Sequence, residues 1–390
     1  MAATSLYLWR RAVLRSSALL KLLLSMTILL TATGCWDEVD LQKVSYAAAL
    51  GIDYVDDNYV IYTQLLSFDS IAKRESSAAS EKPIWIGNKK GDTPLNALFN
   101  LMTSSQYNLS MDHLKTIVIH ERAFAHVKTI LDGINRMRAT RYTTYIFGTK
   151  EDLERLFEVD NFFSSSPLNS ALYSPQITYQ ENSLVRPMRM QDIVRQGLEP
   201  GITTLLPSIK TTNKDWKNAG EKMDLDIIDG VFAFKNSRYA GFLPRKDIQG
   251  LAWGAEGFER TIVSLEPKEN QEATVIIDKS KIDITWDPQA SVFHLQTTMK
   301  GHIVEWDTDV DRVQFIKMME EKIKKEIKAT FLKGQEIGVD LYPLEHVLYR
   351  YHLKQWKEIR KQGEWKPNVD DVVIDVDFTL KYSGEVEVFK

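Results

Sequence analysis

The spacing of apolar residues divides the chain into strand-like and helix-like stretches. Val44–Val55 and Tyr59–Phe68 are rich in β-formers, and Asp56-Asp57-Asn58 between them supplies a turn, so a hairpin is predicted. Ser67–Lys82 is polar and reads as an exposed loop. Thr93-Pro94 has the form of an N-cap and a first helical position, with Leu95, Leu98, Phe99 and Met102 on one helical face. Thr116–His120 reads as a strand, Phe124–Met137 as a helix with Val127, Ile130, Leu131 and Ile134 on its stripe, Tyr142–Phe147 as a strand, and Lys150–Phe157 as a short helix. Alternating strands and helices predict an α/β domain. Ser164–Thr178 is Ser/Pro-rich and irregular, and Met190–Leu198 is a short helix stopped around Pro200-Gly201.

The polar stretch Thr211–Glu221 reads as the main boundary, and beyond it the pattern changes. Val231–Phe234 and Tyr239–Leu243 form a hairpin around Lys235–Arg238, and Thr274–Ile277, Ile282–Trp286 and Val292–Val304 add strands. In the last of these Phe293, Leu295, Thr297, Met299 and Ile303 share one side at period two. Val310–Lys333 reads as a long amphipathic helix with Val313, Ile316, Ile323 and Ile327 as its stripe and Gly334 as its stop. Leu344–Ile359 reads as a second helix. In the closing strand Val372, Ile374, Val376, Phe378 and Leu380 alternate with Val373, Asp375, Asp377, Thr379 and Lys381. The predicted fold class is mixed α/β and α+β. Mixed sheets are flanked by helices, and the C-terminal domain is antiparallel-rich with two long helices. The predicted domains are 44–210 and 222–390, the second long enough to subdivide.

The one cysteine changes the picture of the N-terminus. Arg10, Arg11, Arg15 and Lys21 precede the apolar run Leu22–Leu30, then Ala32-Thr33-Gly34 and Cys35, with no acidic residue before Asp37. A basic region, a short apolar run and small residues before a cut describe a secretory signal. A cysteine behind the small residues makes it a lipoprotein signal, with Ala32 where the usual lipobox has Leu. Residues 1–34 are the expected leader, with cleavage after Gly34. Cys35 is the expected site of S-diacylglycerol and N-acyl attachment, and 35–43 the expected tether. The apolar run is too short to span a bilayer, whereas two acyl chains anchor firmly. The expected location is therefore the outer face of a membrane. Removing 34 of the 390 residues leaves 356, more than one core supports. Removing the leader's four positive charges takes the net charge from −4 to −8, which argues against a nucleic-acid partner.

The chemistry-bearing motifs are sparse. His120-Glu121 and His126 resemble a metal motif, but histidines six apart lie roughly 240° apart on a helix and do not chelate one ion. Asp307, Asp309 and Asp311 have the opening spacing of a calcium loop, yet Arg312 and Met318 stand where Gly and Glu are needed. They read instead as an acidic first turn of the following helix. Asp375 and Asp377 read as a solvated strand face. Trp253, Trp286, Trp306, Trp356 and Trp365 read chiefly as core or interface fillers. The sequence holds no nucleophile elbow, phosphate loop or dinucleotide fingerprint. No catalytic, cofactor-binding or metal-binding residue is assigned, and the expectation is a non-enzymatic protein.

These residues together resemble a family. Gly34-Cys35-Trp36-Asp37, followed by Gly51-Ile52-Asp53 at the end of the first strand, is similar to the opening of Ger(x)C spore-germination lipoproteins. His113–Ile119, Phe124–Arg138 and Tyr145–Phe147 resemble that family's N-terminal domain, and Gly241–Leu243 and Gly250–Trp253 the opening of its C-terminal domain. The long helix, Gly338, the helix carrying Trp356 and the last strand before Gly384 follow in the family's order. Its Asp-x-x-Gly-x-Gly pattern reads here as Gln335, Gly338 and Asp340, keeping only the middle glycine. The resemblance implies an elongated body of mixed α/β domains and the C subunit of a nutrient germinant receptor. It implies multi-pass A and B subunits as partners, the outer face of the spore inner membrane as location, a small-molecule germinant bound by the complex, and no cofactor or catalytic residue. The rival expectation is an extracytoplasmic solute-binding lipoprotein of a transporter, which would need repeated βαβ units that the antiparallel-looking C-terminal half does not offer.

Overall fold

Strand β1 (Val44–Val55) turns back on β2 (Asn58–Leu66) through Asp56 and Asp57, both at positive φ (52° and 58°), the geometry of a two-residue hairpin that matches strand twist. The computed structural model describes residues 44–66, 84–137, 141–159, 162, 167–267, 271–307, 310–366 and 368–381, together with Lys21 and residues 24–27, which are helical. Cys35, the 35–43 tether, the 67–82 loop, Asp309 and Gly384 lie outside the described residues. The chain divides into units 1–44 and 45–390, and all that follows concerns the second.

A nine-stranded sheet has the order β11-β10-β7-β6-β5-β1-β2-β3, with the short β4 (Asn108–Ser110) also on β1. Its centre is parallel: β1, β5 (Thr116–His120), β6 (Tyr145–Thr149) and β7 (Thr203–Thr212). The flanks are antiparallel, with β2 and β3 (Trp85–Gly91) on one side and β10 (Leu225–Lys235) and β11 (Arg238–Pro244) on the other. Strand period two sends consecutive residues to opposite faces. Leu50, Ile52, Ile117, Ile119 and Ile146 pack under α1 (Pro94–Met102), α2 (Val127–Arg136) and α5 (Met190–Leu198). Ala49, Val118 and Phe147 face the other way, onto α3 (Leu153–Phe157) and the 168–173 segment.

Local chemistry sets the helix ends. The Thr93 hydroxyl accepts from the Asn96 N–H, and Pro94 opens α1. The buried face of α1 is Pro94, Ala97, Leu98 and Leu101, and Phe99 points to solvent. Asp152 caps α3 through the Arg155 N–H. The irregular reading of 164–178 is corrected at its end, where α4 (Pro175–Glu181) begins on a proline. The polar 211–221 stretch ends β7 and forms the two-residue ladder of β8 (Lys217–Asn218) and β9 (Glu221–Lys222). On either side of it, β7 and β10 pair from Thr212↔Leu225 to Thr203↔Lys235, so the large sheet draws strands from both 44–210 and 222–390.

The second sheet runs β12 (Thr261–Leu265), β13 (Glu272–Asp287), β14 (Val292–Asp307), β15 (Val372–Leu380), the last pair parallel. Two expected strands are the single long β13, whose register shifts at Thr274/Val275 and Ile277/Lys279 interrupt the alternation. One face is buried by α6 (Arg312–Glu336), capped by the Asp311 carboxylate, which accepts from Val313 and Gln314. The stripe of α6 is Phe315, Met319, Ile323, Ile327 and Phe331; Val313 is 63% exposed. Gly334 lies inside the helix against Leu341, and the left-handed Gly338 (φ 72°) follows its end. The expected second helix is two, α7 (Leu344–Tyr351) and α8 (Leu353–Lys361), broken at His352.

Asp226 on β10 has a buried carboxylate oxygen without a hydrogen-bond partner among the described residues. Burial, and secondarily Asp224, push its pKa from 3.8 up to about 8. The folded protein therefore keeps this acid neutral where the unfolded chain ionises it. Below about pH 4 both states are protonated and the group costs nothing through ionisation; as pH rises from there toward 8 the stability of the fold falls, because only the unfolded chain can ionise it. Asp226→Asn should raise the melting temperature at pH 7.5 and leave it nearly unchanged at pH 4.5; an equal shift at both would remove ionisation as the cause.

Candidate functional site

Open α/β sheets present ligand-facing groups at the carboxyl ends of their parallel strands. Here those ends bring together Asp53 (β1), His120 (β5) and Lys150, just past β6. Leaving β5, the chain enters a 3-10 turn, Glu121–His126, which aims Arg122 back at Asp53. The guanidinium grips the carboxylate with Nε (3.0 Å) and Nη2, and the Tyr54 N–H donates to the same carboxylate at 2.7 Å. Asp53 is buried, whereas Arg122 is about half exposed.

His120 Nδ1 accepts from the Arg122 backbone N–H at 3.1 Å. An accepting nitrogen carries no proton, so the 3.4 Å approach of Nδ1 to Asp53 is not an ion pair. Burial lowers the ring's pKa, outweighing the Asp53 carboxylate that raises it, and the histidine is neutral at pH 7. Beside it the Tyr239 hydroxyl donates to Glu121 Oε1 at 2.5 Å, and burial and that bond hold the phenol far above its usual range. Lys150 reaches Glu121 at 3.7 Å and lies 4.3 Å over the Phe242 ring. Each polar group here is satisfied by another, and the arrangement ties β1, β5 and β6 to the outermost strand, β11.

Tyr239 is also one wall of an open groove with a void of about 770 Å³. Four segments meet there: α2 with Lys128, the β10–β11 turn with Lys235 and Arg238, the Gly338 turn, and the end of α8 with Arg360 and Glu364. Lys235 clamps them together, donating to the carbonyls of Gly338 and Trp365 and pairing with Glu364, each at 3.2 Å.

Of the sequence-singled residues, His126 stacks on Tyr54 at 4.0 Å, in a different environment from His120. Asp307 ends β14 while Asp311 caps α6. Asp375 and Asp377 are exposed on β15. Trp253 is buried, and Trp286, Trp306, Trp356 and Trp365 pack half-buried against the C-terminal core. Among the described residues no group of three or more His, Cys, Asp or Glu is placed to hold a metal, and no helix is long and apolar enough to cross a membrane. Sequence reasoning missed Arg122 as the partner of Asp53, because the two are 69 positions apart and no local pattern links them.

A mixed α/β body with two sheets and helices on their faces defines the class, and the comparisons define the family. Residues 37–211 match the family described as "Spore germination protein N-terminal domain", and residues 229–384 match "Spore germination B3/ GerAC like, C-terminal". The chain belongs to the Ger(x)C family of spore germination proteins. It is 24% identical to spore germination protein B3 of Bacillus subtilis (strain 168) over 379 residues, covering 92% of this chain and 95% of that protein. It is 21% identical to spore germination protein A3 of the same organism over 249 residues, 61% of each. The crystal structure of the GerBC protein superposes with a TM-score of 0.52 at 19% identity, over 86% of this chain and 97% of that one, and so shares its fold.

Proposed function

We propose that this chain is the C subunit of a nutrient germinant receptor: a non-enzymatic lipoprotein required for the receptor to assemble or signal during spore germination. The observation that carries the reading is the match to both germination domains, in order, along one chain. The leader pattern and Cys35 support a tether on the outer face of the spore inner membrane. There the body docks on multi-pass A and B subunits, and the complex binds the small-molecule germinant. The satisfied polar cluster at Asp53, His120 and Arg122 suits a scaffold better than a reaction centre. Nothing in the fold favours the solute-binding alternative.

The test is capture of partners from detergent-solubilised spore membranes with the tagged protein. Co-purification of an A- or B-type subunit is the expected outcome, and recovery of the lipoprotein alone would sink the reading. Cys35→Ala should fold, remain uncleaved or leave the membrane, and impair germination in the one nutrient class that deletion of the gene abolishes.

A further inference from the structure

We infer that the groove between α2, the β10–β11 turn and the end of α8 binds a small oxyanion carrying two or more negative charges, of the di- or tricarboxylate or pyrophosphate class. Its lining holds four cations, Lys128, Lys235, Arg238 and Arg360, and one carboxylate, Glu364, in a chain whose net charge is negative. The one carboxylate is already taken, because Lys235 pairs with it while bridging two carbonyls. Lys235 and Glu364 thus form a neutral, locked floor, and the remaining cations set the sign of the site.

Two of those cations are unpaired. Among the described residues the side chains of Lys128 and Arg238 have no hydrogen-bond or ion-pair partner, and both residues are exposed. The third, Arg360, is held over the Trp356 ring and pairs at 3.6 Å with Glu345, whose carboxylate also accepts from the Trp356 indole at 3.1 Å, so its guanidinium is fixed at the rim of the void. Two guanidinium forks and an ammonium, mounted on three different elements, surround one void. A guanidinium matches carboxylate and phosphate oxygens two at a time, and the lysine adds a point charge. A single negative charge satisfies one of these groups; a ligand with two or three satisfies the set. The void of about 770 Å³ falls within the range of small-molecule sites. The turn before Arg238 has Asn236 and Ser237 at φ 52° and 58°, the geometry of a two-residue hairpin, which sets Arg238 at the mouth of the groove. The inference stands on this groove alone, whether or not the chain assembles into a receptor.

The experiment is calorimetric titration of the full-length lipoprotein in detergent with citrate and with pyrophosphate, at low and moderate salt. Saturable binding tighter than about 1 mM that weakens as salt rises is expected. Lys128→Ala and Arg238→Ala should each weaken it by roughly tenfold. Arg238→Lys, which keeps the charge and loses the fork, should fall between wild type and Arg238→Ala. Lys279→Ala, outside the groove, should bind like wild type. Thermal melts confirm that each variant is folded, as their exposed positions lead one to expect. Absence of saturation up to about 10 mM would overturn the inference, as would groove variants that bind like wild type. Retention on phosphatidylglycerol vesicles without binding of either soluble anion would overturn it too, and would assign the cations to a lipid surface.

Discussion

Arg122→Ala destabilises the protein by about 3 kcal/mol, and adding Asp53→Asn to that background restores most of the loss. The Asp53 carboxylate is buried at the end of β1, and two of its bonds come from the guanidinium. Removing Arg122 leaves a desolvated charge with only the Tyr54 N–H to answer it. Breaking a buried pair from one side costs about 3–5 kcal/mol, and the half-exposed Arg122 puts this case at the lower end. Asparagine in place of Asp53 removes the charge and with it most of the penalty, because both members of the pair are then neutral. A second signature follows from His120. With the guanidinium gone, protonating the His120 ring, whose Nδ1 lies 3.4 Å from Asp53, would set a positive charge beside the carboxylate, at the cost of the bond Nδ1 accepts from the residue-122 N–H. A histidine whose folded pKa rises stabilises below its unfolded value and loses that contribution as pH increases. The Arg122→Ala deficit should therefore shrink below the ordinary histidine pKa of 6.5. Urea denaturation of the two variants at pH 5.5 and pH 8 reads both effects. Equal destabilisation by the single and double variants would show that Arg122 acts through packing rather than charge.

How much of this was legible depended on how local its cause is. β5, α5 and the start of α1 were readable to the residue, because period, cap and stop lie within a few positions of one another. β3, with Gly87, Asn88, Lys89, Lys90 and Gly91, carries no apolar pattern; it is a strand because β2 pairs with it. β7 carries Pro207 and polar residues that break its alternation, and the five residues of β12 are too few to separate from the surrounding loops. In α6 the buried residues recur at intervals of four from Phe315, while the visible Val313 and Ile316 suggested a neighbouring face. The Asp53–Arg122 pair and the cationic groove were beyond reach. The first joins residues 69 apart, and the second joins four segments that only the folded chain brings together.

Gly250→Val loosens the C-terminal half by about 3 kcal/mol, by prising the 249–254 turn away from α6. A Cβ at Gly250 would stand 2.5 Å from the Tyr342 hydroxyl, 2.6 Å from the Glu326 carbonyl and 2.7 Å from the Ile327 Cα. Two of these three atoms are helix backbone, which does not rotate out of the way. Overpacking of this kind costs about 1–3 kcal/mol, and the bonds that strap the turn down are lost with it. The Gly250 N–H donates to Thr330 Oγ1 at 2.9 Å, and the Trp253 indole donates to Glu326 at 3.0 Å. Gly254→Ala is the matched comparison. The three atoms nearest its Cβ would all belong to the Ile282 side chain, at 3.2–3.4 Å, and a side chain can shift by a few tenths of an ångström. That variant should cost less than about 1 kcal/mol in the same chemical melt. Displacing α6 also moves the Gly338 turn that Lys235 holds at the groove floor. Gly250→Val should therefore weaken oxyanion binding although the residue lies outside the groove lining, and Gly254→Ala should leave it intact. Identical melts for the two variants would mean that the turn and α6 are not packed backbone to backbone.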